Sequence, residues 1–138
     1  MTKIIPAILG HDFSEVRRKI ELLQSHTDWL HLDVADGRFV PDHTWQTPED
    51  LKEITGKTKF EIHLMVEKPE EVLASWLSVA DRVIIHYESS DHLSGLFDHF
   101  ATSPVEVSLA LLLETPLEVI DTYWPRCRSA QLMSIATL

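Results

Sequence analysis

The chain is short of cysteine, glycine and positive charge: one Cys, four Gly, and 12 Lys and Arg against 22 Asp and Glu, for a formal charge of −10 over 138 residues. Each scarcity closes off a class of protein. A lone cysteine, Cys127, cannot form an internal disulfide, which fits a reducing compartment such as the cytoplasm. Arg126 and Arg128 flank it and are able to lower a thiol pKa, but the residue reads as incidental and receives no role. The acidic balance is wrong for a nucleic-acid binder, which needs a basic face. No apolar run approaches the roughly 20 residues needed to cross a bilayer, and the stretch from Met1 to Pro6 lacks a signal peptide's apolar core. The expectation is a cytoplasmic protein with neither membrane nor nucleic acid as partner. Only Gly10 follows the first strand-like run, so a glycine-rich dinucleotide crevice lacks support.

What remains is 44% apolar with no low-complexity linker, enough for a single packed domain over residues 1–138. One unit repeats. Runs with strand character begin at Lys3, Trp29, Lys59, Arg82, Val105 and Ser129, spaced by 23 to 30 residues. Helix start signals lie between them: Asp12 three residues before Glu15, and prolines at the first helical position in Thr47-Pro48, Lys68-Pro69 and Thr115-Pro116. Phe13, Val16, Ile20 and Leu23 recur at spacings of three and four, which gives the first helix one apolar face. The pattern predicts βα units on a parallel sheet.

An open doubly wound sheet and a closed barrel share that pattern, and the strand faces favour the barrel. Doubly wound strands read as nearly continuous apolar runs. Here Leu30, Leu32 and Val34 oppose His31 and Asp33; Phe60, Ile62 and Leu64 oppose Glu61, His63 and Met65; and Val83, Ile85 and Tyr87 oppose Ile84, His86 and Glu88. Ionisable residues late in successive strands suit a barrel whose site lies inside its C-terminal end. Eight such units need about 200 residues, so six units make an incomplete barrel.

His31-x-Asp33 places an imidazole and a carboxylate on one strand face, their Cα atoms about 6.5 to 7 Å apart. Such a pair is commonly a structural hydrogen bond. His63 on the same face of the next strand adds a third donor, and two histidines with one carboxylate make a plausible set for zinc, iron or manganese.

Several stretches closely resemble the ribulose-phosphate 3-epimerase family: His31 to Pro41, Glu61 to Met65 with Lys68-Pro69-Glu70, and Ala80 to Glu88. Ile5 to Leu9 with Asp12-Phe13 do so too, and more loosely Leu109 to Leu111, Thr115 to Leu117 and Leu132 to Ser134. The resemblance implies a (β/α)8 TIM barrel of the ribulose-phosphate-binding type, present here as about six βα units and truncated at the C-terminus. It implies an isomerase of pentose phosphate metabolism that interconverts ribulose 5-phosphate and xylulose 5-phosphate by moving a proton at C3 through an enediolate. His31, Asp33 and His63 fall on the family's divalent metal positions, usually zinc, and Asp33 on one of two catalytic aspartates. Met65 and Met133 match methionines that line the wall over the intermediate. A substrate-contacting serine is replaced by Ala7, and a third wall methionine by Ala35. Leu112-Leu113 replace the usual Asn-Pro or Lys-Pro.

The resemblance places the second catalytic aspartate and the glycine-rich phosphate loops later than the strands seen here. The 138 residues alone are therefore expected to be inactive or impaired, and the competing reading is a truncated or degenerate barrel that binds metal or self-associates without turnover. Unpaired edges predict a homo-oligomer. Elsewhere the residues read as structural. His86 and Glu88 form a buried pair bracing the site, and Asp36-Gly37 shape a turn. Arg38 pairs with Asp36 or a nearby carboxylate, and Glu67, Glu70 and Glu71 form a solvated helix start. His11, His26, His43, His92 and His99 are surface residues.

Overall fold

A computed structural model describes residues 2–135. Six parallel strands, β1 (Ala7–Ile8), β2 (Trp29–Ala35), β3 (Lys59–Met65), β4 (Arg82–His86), β5 (Glu106–Leu111) and β6 (Ala130–Leu132), lie side by side in chain order. That order, with no reversal, is the barrel's and not that of a doubly wound sheet, where the order switches direction. A strand begins within four residues of each predicted start, although the first and last shrink to two and three residues. Each of these has a partner on one side only among the described residues, so fewer ladder bonds hold it extended. Ala136, the end of the sixth predicted run, lies outside the described residues.

The two faces of the sheet separate as the alternation predicts. Leu30, Leu32, Ile62, Leu64, Val83, Ile85, Leu109 and Leu111 pack outward with the helices into one core. Into that core α1 (Phe13–Leu23) sends Val16 and Ile20, with Phe13 and Leu23 partly buried beside them, and its start is set by Asp12, whose carboxylate accepts the Glu15 amide at 2.9 Å. Trp76 of α2 (Leu73–Leu77) meets Trp45 edge to face at 5.5 Å. The opposite face carries the polar side chains and curls inward. Gln131 of β6 brings its amide nitrogen within 3.5 Å of His63 on β3; three strand spacings would separate them by about 14 Å on a flat sheet.

The connections differ from expectation. Pro48–Glu53 and Pro69–Glu71 are 3-10 turns, and α4 (Val119–Tyr123) starts three residues after Pro116. Proline opens the two 3-10 turns as predicted, whereas Pro116 lies in the turn before α4 and is not its first residue; all three segments are too short to propagate a full α-helix, whose nucleation cost needs many following turns. Conversely, α3 (Leu93–Phe100) forms without a side-chain cap, held by burial of Leu93, Leu96 and Phe97. Tyr87 and Glu88 sit in a 3-10 turn just past β4 and not on the strand itself. Among the described residues no helix is long and apolar enough to cross a membrane.

Candidate metal centre

Pairing of β2 with β3 puts Asp33 directly beside His63, and the two-residue pleat puts His31 on the same inward face. The three converge on one atom. Asp33 Oδ1 lies 3.1 Å from His31 Nε2 and 2.9 Å from His63 Nδ1, and one donor atom from each residue falls within 4.8 Å of the others. His31 and His63 are buried and Asp33 is partly exposed, so Asp33 is the member of the cluster that solvent reaches most.

The outer ring nitrogens are also engaged. His31 Nδ1 meets Glu61 Oε1 at 2.7 Å, and His63 Nε2 meets His86 Nε2 at 2.8 Å. His86 Nδ1 in turn lies 3.3 Å from Glu88, whose other oxygen accepts the Leu112 amide at 2.9 Å and the Thr115 hydroxyl. Protons can be assigned along this chain. Burial, then the neighbouring His63, pushes His86 down to about 4, so it is neutral near pH 7. Its single proton belongs on Nδ1, because the Glu88 carboxylate only accepts. His86 Nε2 is then an acceptor and His63 must donate from Nε2, which turns the His63 Nδ1 lone pair toward Asp33. A lone pair and a carboxylate oxygen at 2.9 Å repel unless a cation lies between them. The donor set therefore fits a divalent ion, with His31 Nε2, Asp33 and His63 Nδ1 as the residues able to hold it.

Without such an ion, protons serve. Burial works against a charged His31, but hydrogen bonds to Asp33 and Glu61 outweigh it and raise the imidazole to about 9. Burial likewise disfavours an ionised Asp33, yet His31 and His63 hold that carboxyl well below the usual range.

The whole chain resembles known proteins. A model described as the ribulose-phosphate 3 epimerase family matches residues 3–137. The chain belongs to the ribulose-phosphate 3-epimerase family. Among curated ribulose-phosphate 3-epimerases it is 33% identical to that of Chlamydia muridarum over 138 residues, covering 96% of this chain and 59% of the relative. To that of Treponema pallidum it is 32% identical over 126 residues, covering 88% and 57%. The Bacillus subtilis protein is 28% identical over 139 residues, covering 98% and 64%. The chain thus spans about three-fifths of the length of these epimerases.

Other predicted site residues surround the cluster at varied distances. Met65 ends β3 and is buried with Ala35, Val40 and Phe39. Met133 follows β6, its sulfur 3.4 Å from the Gln131 amide that also reaches His63. Ala7 is exposed and in register with His31. Gln131 and Glu61 were not singled out by sequence; Glu61 was visible only as the neighbour of His63 on the polar face.

One expectation needs correction. Asp36 is not bound by the Arg38 guanidinium. Its carboxylate accepts backbone amides of Arg38, Phe39 and Glu67 at 2.8 to 2.9 Å, and these bonds outweigh burial to lower its pKa. Gly37 turns the chain there at φ +74°. Cys127, read as incidental, is buried in the outer core, and burial pushes its thiol up, the opposite of activation by the flanking arginines. The five other histidines are exposed, with His43 joined to Asp36 by an isolated β-bridge.

Proposed function

We propose that this chain supplies the metal- and base-bearing part of a ribulose-phosphate 3-epimerase that moves the C3 proton of ribulose 5-phosphate and xylulose 5-phosphate, a step of pentose phosphate metabolism in the cytoplasm. The observation that carries this reading is the convergence of two imidazoles on one oxygen of Asp33 in a member of that family.

His31, Asp33 and His63 would hold a divalent ion; two nitrogens and one carboxylate suit zinc, with iron or manganese accepted if further ligands join. Such an ion supplies Lewis acidity, lowering the cost of the negative charge left when carbon C3 loses its proton. Asp33 is the proton carrier. Both imidazoles converge on Oδ1, which leaves Oδ2 to take the C3 proton from one face of the sugar and return it, and the neighbouring imidazoles keep the carboxylate ionised and ready to accept. His86, anchored by Glu88, keeps His63 in the tautomer that presents Nδ1. Met65 and Met133, with Ala7 on the first strand, flank the space for the phosphorylated ketose.

Inversion at C3 needs a proton donor on each face. Asp33 serves one. In heavy water, the 138-residue chain with zinc and a high concentration of either ribulose 5-phosphate or xylulose 5-phosphate should introduce deuterium at C3 of one of the two faster than it converts that epimer into the other, and Asp33→Asn should abolish the exchange. A second reading is that these residues bind metal or self-associate without turnover, since Asp33 serves only one face of the sugar. Zinc binding with no C3 exchange would support that second reading against the first.

A further inference from the structure

Below the metal centre the inward faces of β3, β4 and β5 carry Glu61, Arg82 and Glu106 in direct register. Arg82 spans both carboxylates. One terminal nitrogen donates to Glu61 at 2.7 Å and the other to Glu106 at 3.2 Å, while the Trp29 ring lies 4.9 Å from the guanidinium carbon. Glu106 is fixed in turn by the Ser129 hydroxyl at 2.7 Å and the Ser108 hydroxyl at 3.1 Å. With Oε2 given to Arg82, Glu61 has Oε1 free to meet His31 Nδ1, and both partners are buried.

Stability alone does not explain this belt. Buried ion pairs return little net stability compared with well-packed apolar side chains, because both charges must be desolvated. What the belt achieves is directional. With a cation held beside Asp33 and His63, His31 keeps one proton, and it sits on Nδ1 because the Glu61 carboxylate only accepts; the Nε2 lone pair then points at Asp33 and His63. The planar fork of Arg82 fixes which oxygen of Glu61 faces the ring, which a lysine's point charge does not do.

We propose that Glu61, clamped by Arg82 against Glu106, is a positioning residue for His31 that sets its tautomer and ring plane and thereby the affinity of the site for a divalent ion. The inference rests on the metal reading above. It assigns to β4 and β5 a part in metal binding although neither supplies a ligand.

The test uses the 138-residue chain with zinc. Long-range proton–nitrogen correlation spectra of the loaded, unaltered chain should show His31 protonated at Nδ1 and attached to zinc through Nε2. Chelator competition should give zinc dissociation constants raised about 10- to 100-fold in Glu61→Leu, the range expected when a ligand's hydrogen-bond partner is removed. Glu61→Gln, which keeps an acceptor oxygen, should recover most of that loss, and Arg82→Lys should fall between the two. Zinc attached through His31 Nδ1, or a folded Glu61→Leu chain with unchanged affinity, overturns the inference while leaving the metal reading intact. Absence of zinc binding by the unaltered chain overturns both. The spectrum of the unaltered chain decides the matter even where Glu61→Leu does not fold.

Discussion

The metal-free chain should lose stability as pH rises from 6 to 9.5, and His31 is the reason. Its pKa stands at about 9 in the folded state against an ordinary 6.5. Between those values the folded chain binds a proton that the unfolded chain has released, so unfolding free energy falls as pH rises. The stabilisation is fully present below pH 6.5 and gone above pH 9. A difference of about 2.5 in pKa, at about 1.4 kcal/mol each, corresponds to about 3 to 4 kcal/mol in full, of which about 3 kcal/mol is lost between pH 6 and 9.5. The side chain of His31 is only 11% exposed, so solvent screens this contribution little. Urea unfolding in the presence of a chelator at pH 6, 7.5, 8.5 and 9.5 would measure it, with His31→Gln run in parallel. Other titrating groups, the raised Cys127 thiol among them, act in both proteins and cancel in the difference. The unaltered chain should lose about 3 kcal/mol more than the variant over this interval. Parallel curves for the two proteins would refute the proposed proton sharing among His31, Asp33 and Glu61.

Other perturbations probe the frame around the site. Ile62→Ala empties a fully buried position on β3 and should cost about 2 to 5 kcal/mol in urea unfolding. Asp12→Ala removes the cap on the Glu15 amide and should cost about 1 kcal/mol by the same assay. Gly37→Ala forces a side chain to φ +74° and should lower the thermal midpoint by the equivalent of about 1 to 2 kcal/mol. With β1 and β6 each paired on one side only among the described residues and Leu113, Leu117 and Leu132 exposed, the isolated chain should sediment as an oligomer at micromolar concentration. A stable monomer would show that these edges are blunted.

The sheet was legible because parallel strands buried on one face and polar on the other print a period of two, and three successive strands carried it. The same alternation gave His31, Asp33 and His63, since neighbouring strands in register bring like positions together. Glu61 shows where that legibility ends. It lies on the same face, but its role depends on Arg82 and Glu106, which reach it through strand registers that no local pattern encodes. Gln131 was hidden for a similar reason: it meets His63 only because the sheet curls. The connections misled in the opposite sense, because proline marks where a helical turn starts and says nothing of how far it continues. The turn at Asp36-Gly37 was legible, because Asp-Gly suits that geometry; the pairing of Arg38 with Asp36 was not realised, because the carboxylate is taken up by three backbone amides.

Whether His31, Asp33 and His63 form one divalent metal site is decided by calorimetric titration of the chelator-treated chain with zinc. One ion should bind per chain, the thermal midpoint should rise with zinc because only the folded state assembles the site, and both effects should be lost in His63→Ala. Zinc binding and stabilisation undiminished in His63→Ala, or no binding by the unaltered chain, would contradict such a site.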